Sequence, residues 1–234
     1  MADGKAAKAA IPERFTAVDT FMASILADPA ALAKVYAVTP SDTAPIPVNE
    51  PLSAAISRCE AELFAAAATF GNVQAWLQMC IPPVEDGNNF GVAIVMEGIK
   101  IISDLKKELL ETLKGLPEYH KERAGATEKL SPKVSTSSSE SSSSSSDTEK
   151  KAAEDASDTK KSGTSSSQKK DSSSSSTVPD AVKHLVALDV SWHLRVYSIC
   201  AKINGAYAVV GDFLDKNDRR IEMPRGSGGG MSMF

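Results

Sequence analysis

Apolar residues recur at spacings of three and four along four stretches of the chain, and proline-rich or strongly polar segments divide them. The first stretch runs from about Pro12 to Val38 and sets Phe15, Val18, Met22, Ile25, Leu32 and Tyr36 on one helical face. Asp28-Pro29 kinks or interrupts it, because proline removes a helix hydrogen bond, and the proline-rich connection Pro40 to Pro51 excludes helix. The second stretch carries Leu52, Ile56, Cys59, Leu63, Phe70, Val73, Leu77 and Cys80 and stops at Pro82-Pro83. The third starts near Gly91 and aligns Val95, Ile99, Ile102, Leu105, Leu109, Leu113 and Leu116, with Lys106, Lys107, Glu108 and Glu111 on the other side. The fourth begins near Asp180, a candidate N-cap after Pro179. It continues through Leu185, Trp192, Val196, Ile199, Ile203, Ala206, Val210 and Phe213. At about 1.5 Å per residue, its roughly forty residues make a rod of about 60 Å.

No stretch alternates in the manner of a strand, so the expected class is all-α. Long helices with near-heptad stripes suit an up-and-down four-helix bundle in which apolar seams pack at a shallow angle. The stripes of the third and fourth stretches are broader than one seam needs, which points to a second buried surface between subunits.

Residues 131–178 are serine runs broken by Lys-Lys, Glu and Asp. Such a tract cannot bury enough apolar surface to offset its chain entropy, so the expectation is a disordered insert inside one domain spanning 1–234. Ser137 with Glu140, and Ser144 with Asp147, place an acid three residues after a serine, as in phosphorylation targets; an unmodified solvated spacer fits equally.

The net charge is -4, so no broad basic face is available for nucleic-acid phosphates. The longest apolar run, Leu63 to Phe70, is mostly alanine and far short of the ~20 residues that span a bilayer. Residues Met1 to Ile11 lack the leucine-rich core of a secretory signal, so the cytoplasm or nucleus is the expected compartment. Cys59, Cys80 and Cys200 form no C-x-x-C pair and read as small buried residues.

Catalytic chemistry finds no support. His120, His184 and His193 are isolated, with no metal-ligand spacing, and surface or interface packing is their expected role. The glycine-rich stretch Gly226 to Gly230 follows no strand and precedes no helix, so it is a tether and not a phosphate loop. No cofactor, metal or nucleotide is implied.

Two segments carry more information. Between the second and third stretches, Pro82-Pro83 force an exit from helix, Gly87, Asn88 and Asn89 tolerate positive φ, and Gly91 permits close backbone approach. At the end of the chain, Pro224 halts the fourth stretch and residues 226–234 form a flexible tail ending in Ser232, Met233 and Phe234. An apolar terminal residue beyond a mobile linker is suited to filling a pocket.

The run Glu85-Asp86-Gly87-Asn88-Asn89-Phe90-Gly91-Val92-Ala93-Ile94 resembles the activation loop and following helix start of the 11S proteasome activators. Asn204-Gly205-Ala206-Tyr207-Ala208-Val209 and Pro224-Arg225-Gly226 are similar to that family's last helix and tail. The resemblance covers roughly Leu52 to Ala124 and Val178 to Phe234. It implies a heptameric ring, here a homoheptamer, that docks on the α-subunit ring of the proteasome core particle. Ser232, Met233 and Phe234 would enter pockets between α-subunits, while the loop from Glu85 to Gly91, Asn88 above all, would hold the gate open. The mammalian members carry a lysine- and glutamate-rich insert between helices one and two, whereas here the low-complexity insert lies between the third and fourth stretches. Regulation through the insert therefore does not transfer. An oligomeric helical scaffold with a phospho-regulated arm would also fit the helices and the insert, but it leaves the loop and tail unexplained.

Deleting Ser135 to Ser176 and closing the gap with a short flexible linker should leave the oligomer intact on size exclusion, since a disordered tether contributes little to packing. Loss of the oligomer would show that the insert boundary is misplaced.

Overall fold

Proline, asparagine and aspartate decide where most of the helices begin. The computed structural model describes residues 2–41, 44–84, 89–128, 130 and 179–225, and these form six helices and no strand. They are α1 (Ala2–Ile25), α2 (Pro29–Val35), α3 (Glu50–Met79), α4 (Phe90–Lys114), α5 (Glu118–Glu128) and α6 (Pro179–Glu222). The predicted insert, 131–178, lies outside the described residues.

The first apolar stretch is two helices, bent by 70° where Asp28-Pro29 breaks it. Asp28 caps α2, its carboxylate accepting from the N–H groups of Ala30 (3.0 Å) and Ala31 (3.1 Å). α1 also starts well before Pro12, because the run ahead of it is rich in alanine, the strongest helix former, and Pro12 is accommodated inside the helix. Asn49 starts α3 by accepting from the Leu52 N–H at 3.2 Å. α5 has no counterpart in the apolar pattern: its buried face is Tyr119, Arg123 and Ala126, and the arginine conceals the helical period. α6 opens at Pro179, so Asp180 sits in its first turn, where an acid complements the helix dipole, and does not cap it.

α3 packs against α1, α4 and α6, and α6 packs against the same two flanking helices, whereas α1 and α4 do not touch. The bundle is thus up-and-down, with α3 and α6 on its shorter diagonal. Small and aromatic residues set that diagonal: Cys59 Sγ and Cys200 Sγ lie 3.8 Å apart, and the Phe70 and Tyr207 rings meet edge to face at 5.3 Å. Both thiols are buried; the sulfur contact, followed by burial, holds the Cys59 thiol well above the usual range, so it stays protonated. Cys80 is only half-buried. Leu52, Leu63, Val73, Leu77, Val95, Ile102, Leu109, Val196, Ile203 and Val210 fill the interior, matching the predicted stripes.

A buried charge organises the end of the bundle where α6 begins. Asp189 is 1% exposed and accepts from Arg123 Nε (3.2 Å), the Tyr119 hydroxyl (3.2 Å) and Asn49 Nδ2 (2.9 Å). Arg123 also donates from Nη2 to the Pro47 carbonyl at 3.0 Å. One carboxylate therefore ties α6 to α5, to the start of α3 and to the connection before it. Burial, followed by the Asp189 charge, raises the Tyr119 phenol above its ordinary value. His193, one turn further along α6, is a core residue and not the surface or interface residue its isolation suggests. Its Nε2–H donates to the Ile25 carbonyl (2.6 Å), closing the end of α1, and its Nδ1 accepts from the Tyr36 hydroxyl (2.8 Å). His120 and His184 are exposed.

Removing the carboxylate would leave the Arg123 guanidinium buried without its charge partner. Asp189→Ala should cost about 3–5 kcal/mol of unfolding free energy in urea denaturation, with Asp189→Asn losing less because it still accepts a hydrogen bond. A loss below about 1 kcal/mol for Asp189→Ala would mean that the guanidinium finds other partners.

Candidate functional site

At the opposite end of the bundle, α1 and α4 begin and α3 and α6 end. α3 closes with Cys80, whose N–H donates to the Leu77 carbonyl at 3.0 Å, and Pro82-Pro83 prevent further turns. The chain re-enters helix at Asn89, whose carbonyl accepts from the Ala93 N–H at 3.0 Å. Of the predicted loop residues, Glu85, Asp86, Gly87 and Asn88 lie outside the described residues. Asn89 and Phe90 are exposed, and Gly91 is buried.

Gly91 fulfils the close approach anticipated for it. A Cβ there would lie 2.1 Å from the Pro224 carbonyl oxygen and 2.6 Å from the Pro224 Cα, so only glycine fits beneath the backbone that leaves α6. Two arginines of that same segment reach the loop's two stems. The Arg220 guanidinium lies 5.0 Å from the centroid of the Phe90 ring, and Arg225 donates from Nη2 to the Pro83 carbonyl. Sequence reasoning did not single out either contact. Both arginines lie where α6 fades, and nothing in their spacing reveals a partner more than a hundred residues away.

α1 braces this end. Lys5 pairs with Glu222 at 3.0 Å and Lys8 with Asp218. Hydrogen bonding to Glu222, reinforced by its charge, raises the Lys5 ammonium above its ordinary value. Gly4 packs against Trp76 so tightly that a Cβ would sit 2.0 Å from the tryptophan Cβ. Gly98 gives α4 a similar approach to Phe213 of α6, and Ile221 anchors the last turn of α6 with no exposure. Around these contacts Met79, Ile81, Val84, Phe90 and Met223 present apolar surface to solvent.

The predicted docking residues Ser232, Met233 and Phe234 lie outside the described residues, as does the tether 226–230. The root of the tail is described, and it lies against both stems of the loop. Among the described residues no group of three or more His, Cys, Asp or Glu could hold a metal ion, and no single helix is long and apolar enough to cross a membrane.

The family model for the C-terminal region of proteasome activator PA28 matches residues 45–154. "Proteasome activator complex subunit 3" of Homo sapiens, and likewise that of Mus musculus, is 30% identical over 83 residues, 36% of this chain. The match spans 33% of the length of those relatives. Among solved structures, the 11S subunit PA28 of the Plasmodium falciparum proteasome superposes with a TM-score of 0.58 at 17% identity, over 95% of this chain and 89% of that one. A chain from the archaeal 20S proteasome in complex with mutated P26 activator gives 0.66 at 14% identity, over 100% and 94%. At such identities these superpositions establish the fold alone.

The exposed ion pairs between α1 and α6 should be screened by salt, while Ile221 holds the last turn of α6 by packing. Replacing Lys5 and Lys8 together by glutamine should speed amide hydrogen exchange over residues 216–223 and leave the midpoint of global unfolding unchanged. A drop in that midpoint would mean that the pairs hold the bundle and not merely its end.

Proposed function

We propose that the chain is a member of the 11S proteasome activator family and an ATP-independent activator of the proteasome core particle. The family is one of regulators, and the chain acts by binding and not by turnover. Seven copies form a homomeric ring. Ser232, Met233 and Phe234 of each copy dock between α-subunits of the core particle, and the loop from Glu85 to Gly91, centred on Asn88, holds the gate open.

The observation that carries this reading is the shared address of loop and tail. Pro83, just before the loop, and Phe90 and Gly91, its last two residues, contact Arg225, Arg220 and Pro224, which lead into the tail. A single face of the bundle can therefore present both segments to one partner. Seven weak tails on one ring bind with an avidity no single tail approaches, while the loop activates only in so far as it contacts the open gate better than the closed one. The apolar rim of Val84, Phe90 and Met223 gives that face a surface to bury on contact. A scaffold with a regulated arm has no use for this convergence. The reading places the protein in the cytoplasm or nucleus, where core particle is present, and leaves the insert as a candidate phosphorylation tract.

Mixed with core particle and a fluorogenic peptide, the protein should accelerate cleavage without ATP, and native mass spectrometry should show one seven-subunit species. Deleting Ser232 to Phe234 should abolish docking, whereas Asn88→Tyr should dock, fail to activate, and displace the wild-type protein in competition. Unchanged hydrolysis at saturating wild-type protein would refute activation; failure of both variants to compete would show that the loop is part of the anchor.

A further inference from the structure

The contacts at the end of α6 divide the C-terminal segment into two parts with different work. Among residues 220–225, Ile221 is buried in the core and Glu222 pairs with Lys5 of α1. The other contacts go to the stems of the loop: Arg220 lies over Phe90 on the exit stem, Pro224 covers Gly91 one residue later, and Arg225 holds the Pro83 carbonyl on the entry stem. Arg220, in the last turn of α6, and Pro224, just beyond its end, meet the adjacent residues Phe90 and Gly91 of the first turn of α4. Only six residues, 84–89, separate the two stems that are held in this way.

We propose that residues 220–225 are a buttress that positions the activation loop, with Arg220, Arg225 and Gly91 as positioning residues for gate opening and the docking tail beginning only beyond them. The proposal rests on the activator reading above. Its physical basis is the difference between affinity and geometry. A tail on a glycine-rich tether supplies affinity without fixing where anything else lies, because four of the five residues from Gly226 to Gly230 are glycine. Discriminating an open gate from a closed one requires the loop to be held to within a fraction of an ångström, which needs rigid support beneath it. The end of α6 supplies that support, since Ile221 is fully buried and Glu222 and Asp218 are paired with Lys5 and Lys8. Gly91 is part of the device because any side chain would push the Pro224 backbone away.

The test uses full-length protein carrying Arg220→Ala and Arg225→Ala together, the lysine versions of both, and Gly91→Ala, each checked first for an unchanged oligomer. Docking is read by competition with wild-type protein, activation by peptide hydrolysis at saturation, and loop support by amide exchange of residues 89–97 in the isolated protein. The double alanine variant should compete within about twofold of wild type, yet activate at least fivefold less, with faster exchange at Ala93. The lysines should recover part of both losses, because lysine can still sit over the ring and donate to the carbonyl. Gly91→Ala should follow the alanine variant without touching either arginine. Wild-type activation by the double variant, or a loss of docking as large as its loss of activation, would overturn the buttress. If wild-type protein itself failed to activate, the activator reading would fall. Unchanged exchange at 89–97 would in that case still overturn the joint on its own.

Discussion

The contact between α3 and α6 across the diagonal of the bundle is the constraint around which the other helices arrange themselves. Two helices can approach this closely only where small groups face each other, and Cys59 against Cys200 supplies such a point, with sulfurs 3.8 Å apart. Further along, the Phe70 and Tyr207 rings meet edge to face across the same diagonal. Once α3 and α6 form a spine, α1 and α4 are left the two grooves on either side and never meet. Each end of the spine then receives its own solution. Where α6 begins, a buried carboxylate gathers α5 and the start of α3; where it ends, glycines let backbones close on one another.

The long helices were legible because burial along them follows the helical period. The stripes through Leu52 to Leu77, Val95 to Leu116 and Leu185 to Val210 are what faces inward. Where burial is polar, the period disappears. α5 hides its inward face behind Arg123, and Asp189 reads in the chain as one more solvated acid although it is 1% exposed. The early start of α1 was masked by Pro12, whose usual meaning is a boundary. His193 looked isolated because its partners, Tyr36 and the Ile25 carbonyl, are remote in sequence.

The candidate site was legible to a different degree at each of its parts. Gly91 announced a close approach, since a glycine at a helix start beside prolines has few other purposes, and the Pro224 backbone fills the space its missing side chain leaves. The partner could not be named from the chain alone. Nor could Arg220 and Arg225 be told from other cations of a fading helix, because what distinguishes them is the position of Phe90 and Pro83 in space.

The two flanks of the serine tract lie far from this face. Leu130 packs with Ala126 and Leu185 beside Val38 and Ile46, at the end where α6 starts, and the 44 residues of α6 run about 65 Å to the other end. A fluorescent protein or affinity handle spliced between 130 and 179 would therefore stand on the remote rim and leave the loop and tail clear. The same cargo placed ahead of Ala2 would emerge beside Trp76 and Glu222, in the space a docking partner would occupy. For anyone labelling the protein, the interior of the chain is the safer place to cut.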